Sequence, residues 1–305
     1  MNDQAKTITL GEANGELVEN YKNPRVGMET PFVWINKKTG GIAKGEVFTI
    51  AARTGAGKSC FALQMLTHFS HRYRTLYVTL EMTEAHQAAR YLASITDLNS
   101  RDLIRGSIQD AELFMKAVAA VGRSPIADNM RLSRFANTVE RVMEITHNCG
   151  AEVVVIDTIN LMKSSGETER IRLTNITRSL KQMALNMDVA VIMVAQLNRE
   201  ADGKMIPVLS DIKESGSIEE DSDTVLLFAD VEDYGEIFKA EQKYGVSLCD
   251  AGEFSQMREG MRQCVFASIR KNRNGETGAT VFWFMNDKHK FIELQEARER
   301  NFVPF

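Results

Sequence analysis

The chain has 305 residues, 44% of them hydrophobic, enough material for one large domain or two small ones with a substantial core. Its formal net charge of −4 excludes a protein that coats nucleic acid by bulk charge, while leaving room for a local basic pore or groove. Its four cysteines, Cys60, Cys149, Cys249 and Cys264, lack CxxC spacing or histidine pairing, and no apolar run approaches the ~18 residues of a membrane span, so zinc ribbons, disulfide scaffolds and membrane partners are not expected.

Residues 1–40 carry no strand pattern, only a short helical stretch around Gly11–Tyr21 ahead of Pro24, and read as an amino-terminal arm. The opening Met1-Asn2-Asp3-Gln4 lacks the charged-then-apolar character of an export signal, so a cytoplasmic location is expected. The apolar run Val47–Ala51 predicts a buried strand. It is followed at once by Ala52-Arg53-Thr54-Gly55-Ala56-Gly57-Lys58-Ser59 and by a helical pattern in which Phe61, Met65 and Phe69 recur every fourth residue. Further strands are predicted at Thr75–Leu80, Val153–Ile156, Val189–Ala195 and Thr224–Phe228, and Ile176, Leu180, Met183 and Met187 mark the buried stripe of a helix between them. Several of these strands are too uniformly apolar to have a wet face, which predicts an α/β protein with a mostly parallel sheet covered on both sides. The acidic, helical segment 230–263 reads as a surface insertion. Val265–Lys271 and Thr280–Met285 then flank the turn signal Asn274-Gly275, and Phe291–Leu294 follows Asn286-Asp287, so the domain is predicted to finish in an antiparallel hairpin. One domain over residues 41–294 and a short tail, 295–305, complete the expected organisation.

The stretch from Ala52 to Ser59 carries the chemistry most directly, because a glycine-rich turn between strand and helix lets successive backbone N–H groups converge on phosphates. In that frame Lys58 reaches the β- and γ-phosphates and the Ser59 hydroxyl is a Mg²⁺ ligand, so ATP and Mg²⁺ are the expected substrate and cofactor. Hydrolysis also needs an acid beside the metal and a group that orients or deprotonates the attacking water. Asp157 ends the strand Val153–Ile156 and suits the first role; Glu81, following Thr75–Leu80, suits the second as general base. Gln196 ends the next strand, where a neutral amide can sense the γ-phosphate.

Six blocks taken in order resemble the motifs of the DnaB family of replicative DNA helicases. They are Ala51–Ser59, Thr79–Thr83, Val155–Met162, Ala195–Arg199, Ser210–Asp223 and Lys271–Gly275, and the resemblance spans roughly residues 40–294. It implies a RecA-like P-loop fold and a homo-hexameric ring with ATP at the subunit interfaces. It also implies ATP-driven 5′→3′ translocation on single-stranded DNA. On this reading Lys58, Ser59, Glu81, Asp157 and Gln196 keep the roles above, while Arg273 matches the arginine finger and Lys271 its partnering lysine, both acting on a neighbour's ATP. A finger of this kind is worth about 10³–10⁵ in rate in other NTPases.

The resemblance also implies that Lys213, Glu214 and Gly216 contact DNA phosphates from a loop, Asn198–Gly216, that carries Arg199 and Lys204 as well. The stretch Leu161–Thr174, with Lys163, Arg170 and Arg172, is a candidate second loop. Contacts of this sort go to the backbone and give little sequence preference. Thr54 stands where the family often has Pro, and Thr158 and Asn160 where it often has Tyr and Gln, none of which removes a group that hydrolysis needs. The family's amino-terminal collar has no counterpart in residues 1–40, so a minimal helicase of phage or mobile-element type is expected, with Gly11–Tyr21 as the linker helix that docks on the next subunit. Primase, polymerase, helicase loader and single-strand-binding protein are the expected partners, and Phe302 and Phe305 make the tail a candidate docking peptide. Two other readings share the fold: a RecA-type recombinase that forms filaments, and a non-catalytic subunit that binds ATP to assemble on a helicase. The Glu214-Ser215-Gly216 block and the Lys271/Arg273 pair argue against the first, and the intact Lys58, Glu81, Asp157 and Arg273 against the second.

Overall fold

The structure, a computed structural model, describes residues 7–22, 27–198, 201, 206–258 and 262–294. Helices α1 (Leu10–Lys22) and α2 (Val33–Thr39) precede strand β1 (Val47–Ala52), which passes through the glycine-rich turn into α3 (Lys58–Phe69). Strand β2 (Thr75–Thr79) leads to four helices, α4 (Glu84–Ile95), α5 (Ser100–Arg105), α6 (Ala111–Gly122) and α7 (Pro125–Asn129), and then to β3 (Met130–Ser133). Helix α8 (Val139–Cys149), β4 (Val153–Asp157), α9 (Glu169–Met187), β5 (Ala190–Gln196), α10 (Ser215–Asp221) and β6 (Thr224–Val231) follow. Helices α11 (Tyr234–Tyr244) and α12 (Ala251–Arg258) separate them from β7 (Arg262–Asn272), β8 (Gly278–Met285) and β9 (Lys290–Glu293).

All the strands join one sheet in the order β3-β2-β4-β5-β1-β6-β7-β8-β9. Every pairing from β3 to β6 is parallel, and those from β6 to β9 are antiparallel. Strands β1, β2 and β4 are buried along their whole length, as strands covered on both faces must be. Alternate side chains sort to the two covers. Phe48, Ile50, Val153 and Val155 pack with Phe61, Met65 and Phe69 of α3, whereas Val47, Ala51, Val154 and Ile156 pack with Ile176, Leu180 and Met183 of α9. Beneath the glycine-rich turn the first cover becomes aromatic. Phe61 stacks on Phe32 at 4.2 Å between centroids and meets Phe228 and Phe291 edge-on at 4.7 and 5.1 Å, and Phe284 stacks on Phe291 at 4.3 Å. Each such pair contributes about 0.5–1.5 kcal/mol beyond the area it buries, so the α3 end of the sheet is held by the β8–β9 hairpin.

Two features escape the sequence patterns. Strand β3 is a short edge strand with no fully buried residue, so it presents no apolar run to read. The polar segment 230–263 supplies a third core, in which Ile237, Ala240, Leu248 and Phe254 pack on Phe266, Val281 and Trp283. Helix α1 is exposed along its apolar stripe, Leu10, Leu17, Val18 and Tyr21. The tail residues Phe302 and Phe305 lie outside the described residues.

Candidate nucleotide site and nucleic-acid loops

The carboxyl ends of β1, β2, β4 and β5 lie side by side, because Ala52 registers with Gln196, Asp157 with Val194, and Thr79 with Asp157. A cavity of about 360 Å³ opens there, lined by Thr54, Gly57, Lys58, Ser59, Glu81, Arg90, Asn286 and His289 among others. The glycine-rich turn that floors it is closed by a hydrogen bond from Ala56 N to the Arg53 carbonyl at 3.3 Å, and Arg53 Nη1 donates to the Leu197 carbonyl at 2.8 Å. Gly55 and Gly57 adopt φ of 91° and 79°, a region that side-chain-bearing residues avoid. Gly57 is the cap of α3, so the free N–H groups of that helix face the cavity and favour an anion.

Lys58 is buried at the first turn of α3, and burial pushes its ammonium pKa down, against the attraction of Asp157 and Glu81. Asp157 is 1% exposed. Burial raises its pKa, opposed by the hydroxyls of Tyr77 and Ser59 and by the Lys58 charge. Tyr77 Oη donates to Asp157 Oδ2 at 2.8 Å, while Asp157 Oδ1 is buried with no hydrogen-bond partner among the described residues. A buried carboxylate oxygen left unpaired beside a serine hydroxyl is an oxygen donor set suited to a hard divalent cation. Glu81 is exposed at the mouth of the cavity. Thr79 Oγ1 donates to the Met82 carbonyl at 2.8 Å and Thr83 caps α4, which fixes the turn that carries Glu81.

The three departures from the family pattern meet at Gln196. Its Nε2 donates to Thr54 Oγ1 at 2.9 Å, a bond that proline could not accept. Its backbone N donates to Asn160 Oδ1 at 3.3 Å, and Thr158 Oγ1 donates to the same oxygen at 3.2 Å and to the Val194 carbonyl at 2.7 Å. Sequence reasoning missed this linkage, and with it Tyr77, Arg90, Asn286 and His289. Tyr77 carried one signal: a phenol within an apolar strand must find a partner.

Two loops leave the same edge of the sheet. Leu197 pairs with Ile212, Asn198 N donates to the Asp211 carbonyl at 2.7 Å and Lys213 N to the Gln196 carbonyl at 3.0 Å, which pins the base of the longer loop. Lys213 Nζ also pairs with Glu169 Oε1 at 2.7 Å, joining it to the second candidate loop at the start of α9. Glu214 caps α10 with φ of 56°, and Gly216 is exposed, with nothing within 4 Å of where a Cβ would stand. Arg199 and Lys204 lie outside the described residues.

Lys271 and Arg273 stand elsewhere. Asn272 registers with Thr224, Thr224 with Phe48, and Phe228 with Ala52, so about 13 Å of strand separates them from the chain's own glycine-rich turn. Lys271 Nζ donates to the Glu219 carbonyl, Arg273 Nη2 to the Glu220 carbonyl at 2.7 Å, and Arg273 Nη1 pairs with Asp223 Oδ1 at 3.2 Å. Both cations thus cap the carboxyl end of α10.

The sequence model of the DnaB-like helicase C terminal domain matches residues 27–293. The chain belongs to this family. A similar curated relative is the replicative DNA helicase DnaB of Geobacillus stearothermophilus, 25% identical over 301 residues that cover 95% of this chain and 62% of the relative. The chain therefore spans 62% of the length of that relative. Among solved structures, the ATPase domain of G40P superposes with a TM-score of 0.75 at 22% identity, covering 95% of this chain and all of that one (100%). A DnaB-like replicative helicase described together with its interactions with primase superposes with a TM-score of 0.71 at 22% identity, covering 95% of this chain and 68% of that one. The fold of the DnaB-like chain is accordingly the RecA-like fold that its motifs predict. Among the described residues no helix is long and apolar enough to cross a membrane.

Proposed function

We propose that this DnaB-like chain is an ATP-hydrolysing helicase motor that moves on single-stranded DNA as a ring of identical copies, six by family resemblance, with 5′→3′ polarity. The separation of Lys271 and Arg273 from the chain's own phosphate-binding turn carries this reading, because a single copy has acid, base and sensor positions but lacks these cations at its own cavity. In a ring, the same residues stand at a neighbour's site. The backbone from Ala52 to Ser59 and Lys58 would cradle the ATP phosphates, and Ser59 with Asp157 would hold Mg²⁺, which supplies charge for the phosphates. Glu81 would take the proton of the attacking water, Gln196 would sense the γ-phosphate through its bond to Thr54, and Arg273 and Lys271 would neutralise charge across the interface.

Lys213, Glu214, Gly216, Arg199 and Lys204 would track DNA phosphates, with the Lys213 to Glu169 pair coupling the two loops. The exposed apolar stripe of α1 suits a linker helix that clasps the next copy. Primase is the first partner to test, given the solved relative described with it; polymerase, loader and single-strand-binding protein follow, in the cytoplasm, with the tail as a candidate docking peptide. The deciding measurement is ATPase activity with and without single-stranded DNA while mass is followed in ATP. The expected result is DNA stimulation together with a ring-sized oligomer. A persistent monomer without stimulation would refute the motor and favour a filament-forming or partner-dependent protein.

A further inference from the structure

Between α10 and β6, at the end of the sheet remote from the nucleotide cavity, lies a carboxylate whose hydrogen bonds among the described residues all come from cations and backbone N–H groups. The Asp223 side chain is 9% exposed. Its Oδ2 accepts from Val47 N at 2.8 Å and from Lys181 Nζ at 2.7 Å, and its Oδ1 accepts from Arg273 Nη1 at 3.2 Å. The backbone repeats both attachments: Asp223 N donates to the Val47 carbonyl at 2.9 Å, and Arg273 N donates to the Asp223 carbonyl at 2.9 Å. Asp223 is thereby fixed to the first residue of β1, the strand whose other end becomes the phosphate-binding turn.

Lys181, itself held by the Gly45 carbonyl at 2.9 Å, balances the charge of Asp223 through Oδ2, and Arg273 supplies the hydrogen that Oδ1 accepts. Arg273 does not need the pair for its own solvation, since its side chain is 47% exposed. The second contact therefore fixes where the guanidinium stands. Asp223 takes a hydrogen from Nη1 and the Glu220 carbonyl takes one from Nη2 at 2.7 Å, while the remaining N–H groups of the fork have no bond among the described residues. The formal charges of Lys181, Asp223 and Arg273 leave the group positive. An arginine so held keeps donors for an incoming phosphate and has already given up much of its rotamer freedom.

We propose that Asp223, braced by Lys181, is the positioning residue for Arg273 and aims its guanidinium at the ATP bound by a second copy. The proposal rests on the reading of Arg273 as a finger that acts between copies.

The experiment is steady-state ATP hydrolysis with single-stranded DNA by the full chain carrying Asp223→Asn, Arg273→Ala or both, with binding of a fluorescent ATP analogue measured alongside. Asp223→Asn should lower kcat by roughly 10- to 100-fold, the scale of a misplaced catalytic group, while KM and analogue affinity stay within about twofold. In the Arg273→Ala background it should change kcat by less than about twofold, because both changes remove one function. A loss equally large in both backgrounds would show that Asp223 acts otherwise and overturn the proposal. Wild-type kcat in Asp223→Asn beside a disabled Arg273→Ala would overturn it while leaving the finger intact. Wild-type kcat in Arg273→Ala would overturn the finger and the positioning role together. If Asp223→Asn does not fold, Lys181→Met replaces it, with a smaller loss of kcat that is again absent in the Arg273→Ala background; an unchanged kcat of Lys181→Met in the otherwise wild-type chain overturns the proposal.

Discussion

Gly57→Ala probes the joint between the glycine-rich turn and the β8–β9 hairpin, and Gly55→Ala serves as its internal control. Both glycines have positive φ, 91° for Gly55 and 79° for Gly57, so alanine at either position meets the same left-handed backbone cost of about 1–2 kcal/mol. The slight gain from a stiffer unfolded chain is common to both and cancels in the comparison. Their surroundings differ. A Cβ at Gly55 would meet nothing within 4 Å, whereas one at Gly57 would lie 2.6 Å from Phe291 Cζ and 2.8 Å from Phe284 Cε1. Those rings are stacked on each other, and Phe291 is wedged against Phe61, so they cannot swing aside without opening the aromatic cluster. Overpacking of that kind costs about 1–3 kcal/mol, which puts Gly57→Ala at about 2–5 kcal/mol in total. Guanidinium unfolding should therefore separate the two variants by about 1–3 kcal/mol, and Phe291→Leu added to Gly57→Ala should restore part of the difference while leaving the backbone cost. Equal destabilisation by Gly55→Ala and Gly57→Ala would refute the claim that the hairpin presses on the turn.

Asp157→Asn removes a buried charge with one unpaired oxygen, so the apo protein should gain about 1 kcal/mol or more while its added stability in Mg²⁺ and ATP shrinks; a lower apo melting temperature would contradict this. Gly216→Ala should leave thermal stability equal or higher, since a Cβ there meets nothing and α10 gains helix propensity, yet weaken binding of fluorescent single-stranded DNA; undiminished binding would remove Gly216 from the DNA loop. Burial lowers the His289 pKa below its ordinary 6.5, with Ser100 Oγ 2.6 Å from Nε2. The unfolded chain therefore takes up that proton first as pH falls through 6.5, so stability should drop below this pH, and His289→Gln should flatten the slope measured between about pH 7 and 5. Mixing inactive Arg273→Ala and Lys58→Ala chains should restore some ATPase activity, because some interfaces then pair an intact phosphate-binding turn with an intact arginine; no recovery at any ratio would argue against action between copies.

Where side-chain pattern and local chemistry coincide, the sequence was readable. The uniformly apolar runs at β1, β4 and β5, the glycine-rich turn and the terminal acid of β4 each announce themselves locally, and the structure brings their ends to one edge. Strand β3 was not readable, because it is held by pairing along β2 and shows half-exposed side chains. Nor was the contribution of the hairpin turn to the cavity: Asn286 and His289 arrive from the far end of the chain through tertiary packing that no spacing encodes. The departures at Thr54, Thr158 and Asn160 look unrelated in the sequence, and only the parallel register that sets Gln196 beside Ala52 reveals them as one hydrogen-bonded group.

The register of β1, β6 and β7 has a mechanical consequence. Strand β6 pairs with β1 on one side and β7 on the other, so the glycine-rich turn and the Lys271/Arg273 pair sit at opposite ends of one hydrogen-bonded slab. A slab stretches far less readily than a loop bends, so the spacing between a copy's own glycine-rich turn and its guanidinium behaves as a fixed ruler. In the proposed assembly, copies built this way would open or complete a site by shifting as whole bodies against one another. The timing of hydrolysis around such an assembly would then be read from its pitch, with each chain acting as a rigid spacer between successive sites.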